Sequence, residues 1–257
     1  MLERREMILK ILDENEKAKV SDLAKRFQCS EVTICTDIRA LEKEGLVDRI
    51  RGGVQKKARE LHRHDSVSYD SISLDTNVAA KQKIAACAYK VIDNQDTIIL
   101  DDSSTSFYLA LQIRKHPQKR MAVVTNSLLA ASELSGLAHV ELYMVGGNVK
   151  GSMPATIGKK VTDNIMSFHA DKAFIGVHGI SFEKGLTCIV DSQMQIKKAI
   201  IETTKSVYVL ADSSKFGCGY FWVVCPITDI YKIITDSEVS QENIRKAEAH
   251  KIPLVIA

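Results

Sequence analysis

The chain lacks any apolar run long enough to cross a bilayer. Its longest runs, such as YVLA and FWVVC, are of strand length, well short of the ~20 residues a spanning helix needs. Paired cysteine spacing is missing too. The cysteines stand at 29, 35, 87, 188, 218 and 225, and none makes the C-x-x-C of a zinc site or redox motif. With no signal-peptide pattern at the start, reduced thiols and a soluble, cytoplasmic protein without a membrane partner are expected. There is no Walker motif, Ser-His-Asp spacing or metal-ligand cluster. No cofactor, metal site or catalytic residue is expected. Net charge is scarce: 35 Lys/Arg against 32 Asp/Glu give a formal +3.

What is present is length, core material and an uneven spread of charge. The 257 residues exceed one small module and fit two domains. At 45% hydrophobic a sizeable core can be buried. Residues 1–63 hold 15 Lys/Arg and 12 Asp/Glu and so carry the whole +3. Within them, RIRGGVQKKARELHR (49–63) has six Lys/Arg and one Glu. Such a local excess either attracts phosphate backbones or is a solvated linker.

RREMILKILDEN places Met7, Ile8, Ile11 and Leu12 at helical spacing. KVSDLAKRF follows, with Ser21 as its N-cap and Leu23, Ala24 and Phe27 on one face. After the turn QCS, Ser30 is placed to cap a third helix, with Val32, Ile34, Ile38 and Leu41 near one stripe and Gly45 to end it. Two helices joined by a short turn, with another in front, make the helix-turn-helix pattern, whose second helix lies in the major groove. A three-helix bundle with no nucleic-acid role fits the same spacing. LVDRIRGGV, with apolar Leu46, Val47, Ile50 and Val54 among basic Arg49 and Arg51, reads as a hairpin or wing. Its arginines suit phosphates or a minor groove.

This segment resembles the N-terminal domain of DeoR-type sugar-metabolism regulators, whose motif runs S-x-x-T-I-R-R-D-L-x-x-L-E-x-x-G-x-(L/I/V)-x-R-x-H-G-G. It stands here as Ser30, Thr33, Ile34, Asp37, Ile38, Leu41, Glu42, Gly45, Val47, Arg49, Gly52 and Gly53. Cys35-Thr36 replaces the usual arginine pair, and Arg51 the usual histidine. Fewer cations on the recognition helix weaken phosphate contacts. Thr33 and Thr36 can hydrogen-bond a base edge or phosphate, and Cys35 can pack on a thymine methyl. The candidate DNA-binding residues are Ser30, Glu31, Thr33, Cys35, Thr36, Arg39, Arg49, Arg51, Gly52 and Gly53.

Residues 55–75 are polar and aperiodic, as in a linker. From Thr76 short β-rich runs (DTIIL, MAVVT, VELYMV, DKAFIGV, SVYVLAD, YKIIT, PLVIA) alternate with helical ones. That grammar predicts a mainly parallel sheet in an α/β layer architecture, with ligands at the carboxyl ends of the strands. The strand-end loops DDSSTS (101–106), VTNS, VGGN, FIGVHGI and ADSSKFG are polar or Gly-bearing. Singly each is an ordinary helix cap; together they outline a ligand cleft suited to phosphate. His178 could titrate there as an acid or base; the plainer reading is a cleft-lining or structural histidine.

This part also resembles the DeoR family, whose sensor domains are similar in fold to ribose-5-phosphate isomerase and bind phosphorylated sugars or related metabolites. The matching pieces are LDDSST, TNS, GGN, DKAFIGVHGI, GLT and LADSSKFG. By position the resemblance implies effector contacts from Asp101, Ser103, Ser104, Thr105, Gly147, Asn148, Asp212 and Lys215, with Lys81 and Lys197 matching lysines that recur in the family. Ser103 replaces a loop glycine, which narrows the room for phosphate, and Gln193 sits where glutamate is common. The expected organisation is a winged helix-turn-helix over 1–57, a linker over 58–75 and an α/β effector domain over 76–257. The expected function is a repressor of a carbohydrate-utilisation operon. It binds double-stranded operator DNA as a homodimer or homotetramer and answers to a phosphorylated sugar or polyol. The rivals are a sugar-phosphate isomerase with an appended helix-turn-helix and a protein–protein adaptor.

Overall fold

The computed structural model describes residues 2–15, 17–43, 47–50, 53–56, 76–151 and 153–257. The chain divides into two compact units, residues 1–67 and 68–257. The expected linker, 58–75, lies outside the described residues, as does Gly45.

The first unit runs α1 (Leu2–Asn15), β1 (Lys17–Lys19), α2 (Val20–Arg26), α3 (Glu31–Lys43), β2 (Val47–Ile50) and β3 (Gly53–Lys56). Ile34, Ile38 and Leu41 are spaced to share one helix face, and they bury against Ile8, Leu12, Leu23, Val47 and Val54. Val32 does not join them; it is 75% exposed. Two residues from Ile34 is about 200° around a helix, so the expected stripe placed it on the wrong side. Ser21 is not the cap of α2 either. The helix starts at Val20, with Lys19 in the cap position and no side-chain cap bond. The cause is β1, which pairs with β3 (Ala18 opposite Val54) and runs straight into the helix. The expected wing is present as the antiparallel pair β2–β3, with Arg49 opposite Val54 and Ile50 opposite Gly53.

The second unit is built on a seven-stranded sheet, parallel throughout. Its strands are β4 (Thr97–Leu100), β5 (Met121–Thr125), β6 (Val140–Met144), β9 (Ala170–Gly176), β12 (Thr204–Leu210), β14 (Lys232–Thr235) and β15 (Leu254–Ile256), in the order β15-β14-β12-β9-β4-β5-β6. Alternate residues face opposite sides. Ile98, Leu100, Val123, Phe174 and Leu210 pack under α4 (Val78–Lys90), α5 (Ser104–Lys115) and α6 (Leu128–Leu134). Ile99, Val124, Ile175 and Val209 pack on α7 (Lys159–Ile165), α8 (Asp191–Glu202) and α9 (Gln241–Ala249). Two smaller sheets sit beside this core: β7 (Asn148–Lys150) with β8 (Ala155–Ile157), and β10 (Gly179–Ser181), β11 (Gly185–Cys188) and β13 (Trp222–Cys225). Strands added after β4 grow toward β6, and those from β9 onward grow the other way. The β4/β9 boundary is therefore the topological switch point, where open α/β sheets hold their ligands.

Candidate effector site and nucleic-acid interface

A cavity of about 60 Å³ opens at that switch point. Its walls are the residues following β4 (Asp102 to Thr105), the end of β9 and the loop after it (Gly176 to His178) and the loop after β12 (Asp212, Lys215), with Lys81 from α4 and Gln193 and Lys197 from α8. Three central strands thus deliver their carboxyl-end loops to one place.

Asp101 organises the floor. It is fully buried, so each oxygen needs donors. Oδ1 accepts from the Ser103 amide (3.1 Å), the Ser103 hydroxyl (2.6 Å) and the Ser106 hydroxyl (2.6 Å). Oδ2 accepts from the Gly176 amide (2.9 Å) and the Lys197 ammonium. Burial pushes this carboxyl up, but Lys197 and the two hydroxyls outweigh it and hold it below the usual carboxylate range. Burial likewise works against the Lys197 charge, and Asp101 and Asp102 more than offset it, raising the ammonium above its ordinary value.

Asp102 is the less stabilised neighbour. Burial, against the pull of Lys197 and with the push of Asp101, holds its carboxyl above the usual range. Its Oδ2 accepts from Gln193 Nε2 at 3.1 Å, while Oδ1 has no hydrogen-bond partner and stands 4.0 Å from Lys197 Nζ. Asp212 Oδ1 accepts from Asn77 Nδ2 (3.0 Å) and the Ser214 amide (3.1 Å), which fixes the loop carrying Lys215. Burial first, then the nearby Lys197 and Lys215, lower His178 to about 4. Its ring is therefore neutral at pH 7 and lies edge-on to Tyr220, 6.1 Å between centroids.

Of the ten residues expected to meet an effector, Lys81, Ser103, Ser104, Thr105, Lys197, Asp212 and Lys215 line the cavity. Asp101 does not; its oxygens are engaged behind the wall. Gly147 and Asn148 do not either. They follow β6, an edge strand two positions from the switch point. A Cβ on Gly147 would come within 2.5 Å of Val161 Cγ2, so this glycine permits close packing on α7. The expected narrowing by Ser103 takes another form. The hydroxyl turns inward to Asp101, and Gly176 makes space for it, since a Cβ there would lie 2.4 Å from Ser103 Cβ. Sequence reasoning missed Asp102 and treated Gln193 only as a departure. The doubled aspartate at a strand end was the available signal.

In the first unit, Ser30 caps α3 by accepting from the Thr33 amide (3.2 Å), and the two hydroxyls share a 2.8 Å bond. Glu31, Val32, Thr36 and Arg39 are exposed on the outer side of the helix, with Cys35 half-buried. The Thr36 hydroxyl donates to the Val32 carbonyl (2.9 Å). Gly53 is buried within β3, and Arg49 takes its place in β2; Arg51 and Gly52 lie outside the described residues. A residue not assigned a role is Asp37. Buried in α3, it accepts from Arg4 Nε (2.6 Å) and Arg5 Nε (3.1 Å) and so ties α1 to the recognition helix. Burial would raise its carboxyl; the two arginines lower it further than burial lifts it.

No helix among the described residues is long and apolar enough to cross a membrane. Residues 4–60 match the DeoR-like helix-turn-helix domain, and residues 76–237 match the DeoR C terminal sensor domain. The uncharacterized HTH-type transcriptional regulator YulB of Bacillus subtilis is 31% identical, over 97% of this chain and 94% of its own. A putative aga operon transcriptional repressor of Escherichia coli O157:H7 is 29% identical, over 95% and 91%. Among solved structures, ribose 5-phosphate isomerase from Plasmodium falciparum aligns over 54% of this chain and 52% of its own, at 19% identity and a TM-score of 0.39.

Proposed function

The chain belongs to the DeoR family of helix-turn-helix transcriptional regulators, and from that membership we propose that it represses a carbohydrate-utilisation operon under the control of a phosphorylated sugar or polyol. It is a DNA-binding regulator and not an enzyme, and the isomerase alternative is unsupported. The observation that carries the effector reading is the gathering of Lys81, Lys197 and Lys215 with the amino end of α5 around one cavity at the switch point. Cations and helix amino ends both favour a phosphate. The relative named for the aga operon points the same way. The volume of about 60 Å³ is far below the ~300–1,000 Å³ of typical ligand sites, so a sugar phosphate widens the cleft or leaves part of itself in the mouth.

In this reading residues 1–57 bind operator DNA, 58–75 link, and 76–257 sense. Arg39, Arg49 and Arg51 meet phosphates, while Glu31, Thr33, Cys35 and Thr36 face bases or backbone. The protein acts in the cytoplasm as a homodimer or homotetramer, because palindromic operators ask for a symmetric protein. Effector binding shifts the population between DNA-competent and DNA-incompetent states. The test is a thermal-shift screen of sugar and polyol phosphates on the full chain. A true effector at 100 times its Kd stabilises the native state by roughly 2.7 kcal/mol and changes operator retention. A screen in which no phosphate ester does either removes this reading.

A further inference from the structure

Lysines and a helix amino end account for an anion, but the cavity also holds acceptors that a fully ionised phosphate ester cannot satisfy. Two of its wall oxygens have no hydrogen-bond partner: Asp102 Oδ1 and Gln193 Oε1. Asp102 is more than nine-tenths buried. The two side chains are already joined, Gln193 Nε2 donating to Asp102 Oδ2. That bond turns the amide nitrogen toward Asp102 and leaves the carbonyl oxygen without a donor. Buried acceptors without donors are costly, and these two belong to one fixed pair on one wall. A fully ionised phosphate ester brings only more acceptors and charge of the same sign as Asp102. What completes the pair is a set of O–H donors.

Resting on the effector reading above, we propose that Asp102 and Gln193 form the hydroxyl-reading end of the site, the pair that decides which phosphorylated ligands are accepted by requiring free hydroxyls beside it. Asp102 Oδ1 and Gln193 Oε1 each accept from one ligand hydroxyl, while Lys215 and the α5 amino end hold the phosphate. The pair sets specificity and the cations set the anion requirement. A ligand with a carboxylate in place of the hydroxyls meets Asp102 and is rejected. The sequence marks the same residue: Gln193 supplies the N–H that holds Asp102, which a glutamate there would not do as an anion.

The test uses calorimetry on the full chain with three probes: inorganic phosphate, a panel of hexose and hexitol phosphates, and the same hexitols without phosphate. The tightest panel member should bind parent protein well above inorganic phosphate. Gln193→Leu should weaken that member about three- to tenfold, and Asp102→Asn at least tenfold, while inorganic phosphate binds both variants at least as tightly as the parent, since Asp102→Asn removes a like charge from the wall. Lys215→Ala should weaken both phosphate probes. If Lys215→Ala has that effect and neither Gln193→Leu nor Asp102→Asn changes the margin over inorganic phosphate, the hydroxyl-reading assignment is wrong and the effector reading stands. If no phosphate probe binds parent protein, or bare hexitols bind as tightly as their phosphates, the effector reading itself falls and takes this assignment with it. Each variant is titrated at a temperature below its cooperative Trp222 unfolding transition, since Trp222 packs on the core of the same unit; the midpoint itself shifts as buried acceptors are removed and does not decide the assignment.

Discussion

Replacing Lys197 by methionine tests the floor of the cavity most directly. Lys197 and Asp101 are both essentially removed from water. Taking away one member of a buried pair leaves the other charge uncompensated and costs about 3–5 kcal/mol. The lower end applies here, because Asp101 keeps four donors after the change: the Ser103 amide and hydroxyl, the Ser106 hydroxyl and the Gly176 amide. Lys197→Met should therefore cost about 3 kcal/mol at pH 7.5. The assay is urea unfolding followed through Trp222, the single tryptophan, which reports on this unit alone.

The pH dependence carries the stronger constraint. In the parent the Asp101 carboxyl is depressed. Its share of stability is present above the unfolded value of about 3.9 and is lost as pH falls through the folded one. Lys197 is raised, so its share is present below about 10.4 and is lost as pH rises through the folded value. Neutral pH lies between, with both shares in place. Without the lysine, burial becomes the dominant influence on Asp101 and its carboxyl rises. The folded variant then takes up a proton more readily than the unfolded chain, so the variant gains stability as pH falls from 7.5 to 5. The deficit against the parent should shrink over that interval. Adding Asp101→Asn should recover part of the loss, since a buried pair replaced as a whole costs less than one broken. A deficit under about 1 kcal/mol at pH 7.5, or one identical at both pH values, refutes the account.

Gly176→Ala should lower the thermal midpoint by an overpacking cost of about 1–3 kcal/mol, and Ser103→Gly in the same chain should restore it; an unaffected Gly176→Ala would mean Ser103 does not occupy that space. Asp37→Ala should loosen the DNA-binding unit by about 1–2 kcal/mol, since its arginines are partly solvated, and reduce retention on DNA while the Trp222 transition stays put; a shift of that transition would contradict it. Arg39→Ala should reduce the magnitude of the salt slope of DNA binding by about 0.9 for one lost phosphate contact, measured on operator and on random duplex alike. Cys35→Arg with Thr36→Arg should raise affinity for random duplex and blunt discrimination of the operator; equal or better discrimination would place both residues outside the groove.

Much of this fold was legible because its signals are local. The β-rich runs became the seven core strands, and Ser30 caps α3 as its position implied. The omissions share a different character. Lys17–Lys19 is too short and too polar to show alternation, and it is a strand only because β3 pairs with it. The β11–β13 pairing joins segments some forty residues apart, which no window of sequence contains. Asp101 was read as an effector contact because it stands in the right loop. Its true partner, Lys197, is brought across by α8 from 96 residues away. Gly147 and Asn148 also stand in a strand-end loop, but strand order, which sequence leaves unstated, puts that strand at the edge of the sheet.

The same arrangement fixes the charge states of the groups at the switch point. Acid–base chemistry needs a group that can change its proton near neutral pH. Behind the wall of this cavity Asp101 is held in the ionised form by Lys197 and two hydroxyls, and Lys197 is held as the ammonium by Asp101 and Asp102. Neither can give or take a proton without breaking the floor of the fold. His178, the residue best suited by type, is kept neutral by burial and by the lysines beside it. What remains open to a ligand is Asp102, whose carboxyl burial raises, with Gln193, the lysines of the wall and a helix amino end, all set by the folded core before anything binds. Such groups hold and discriminate by charge and hydrogen bonding, and Asp101 ties them to the strands that carry them.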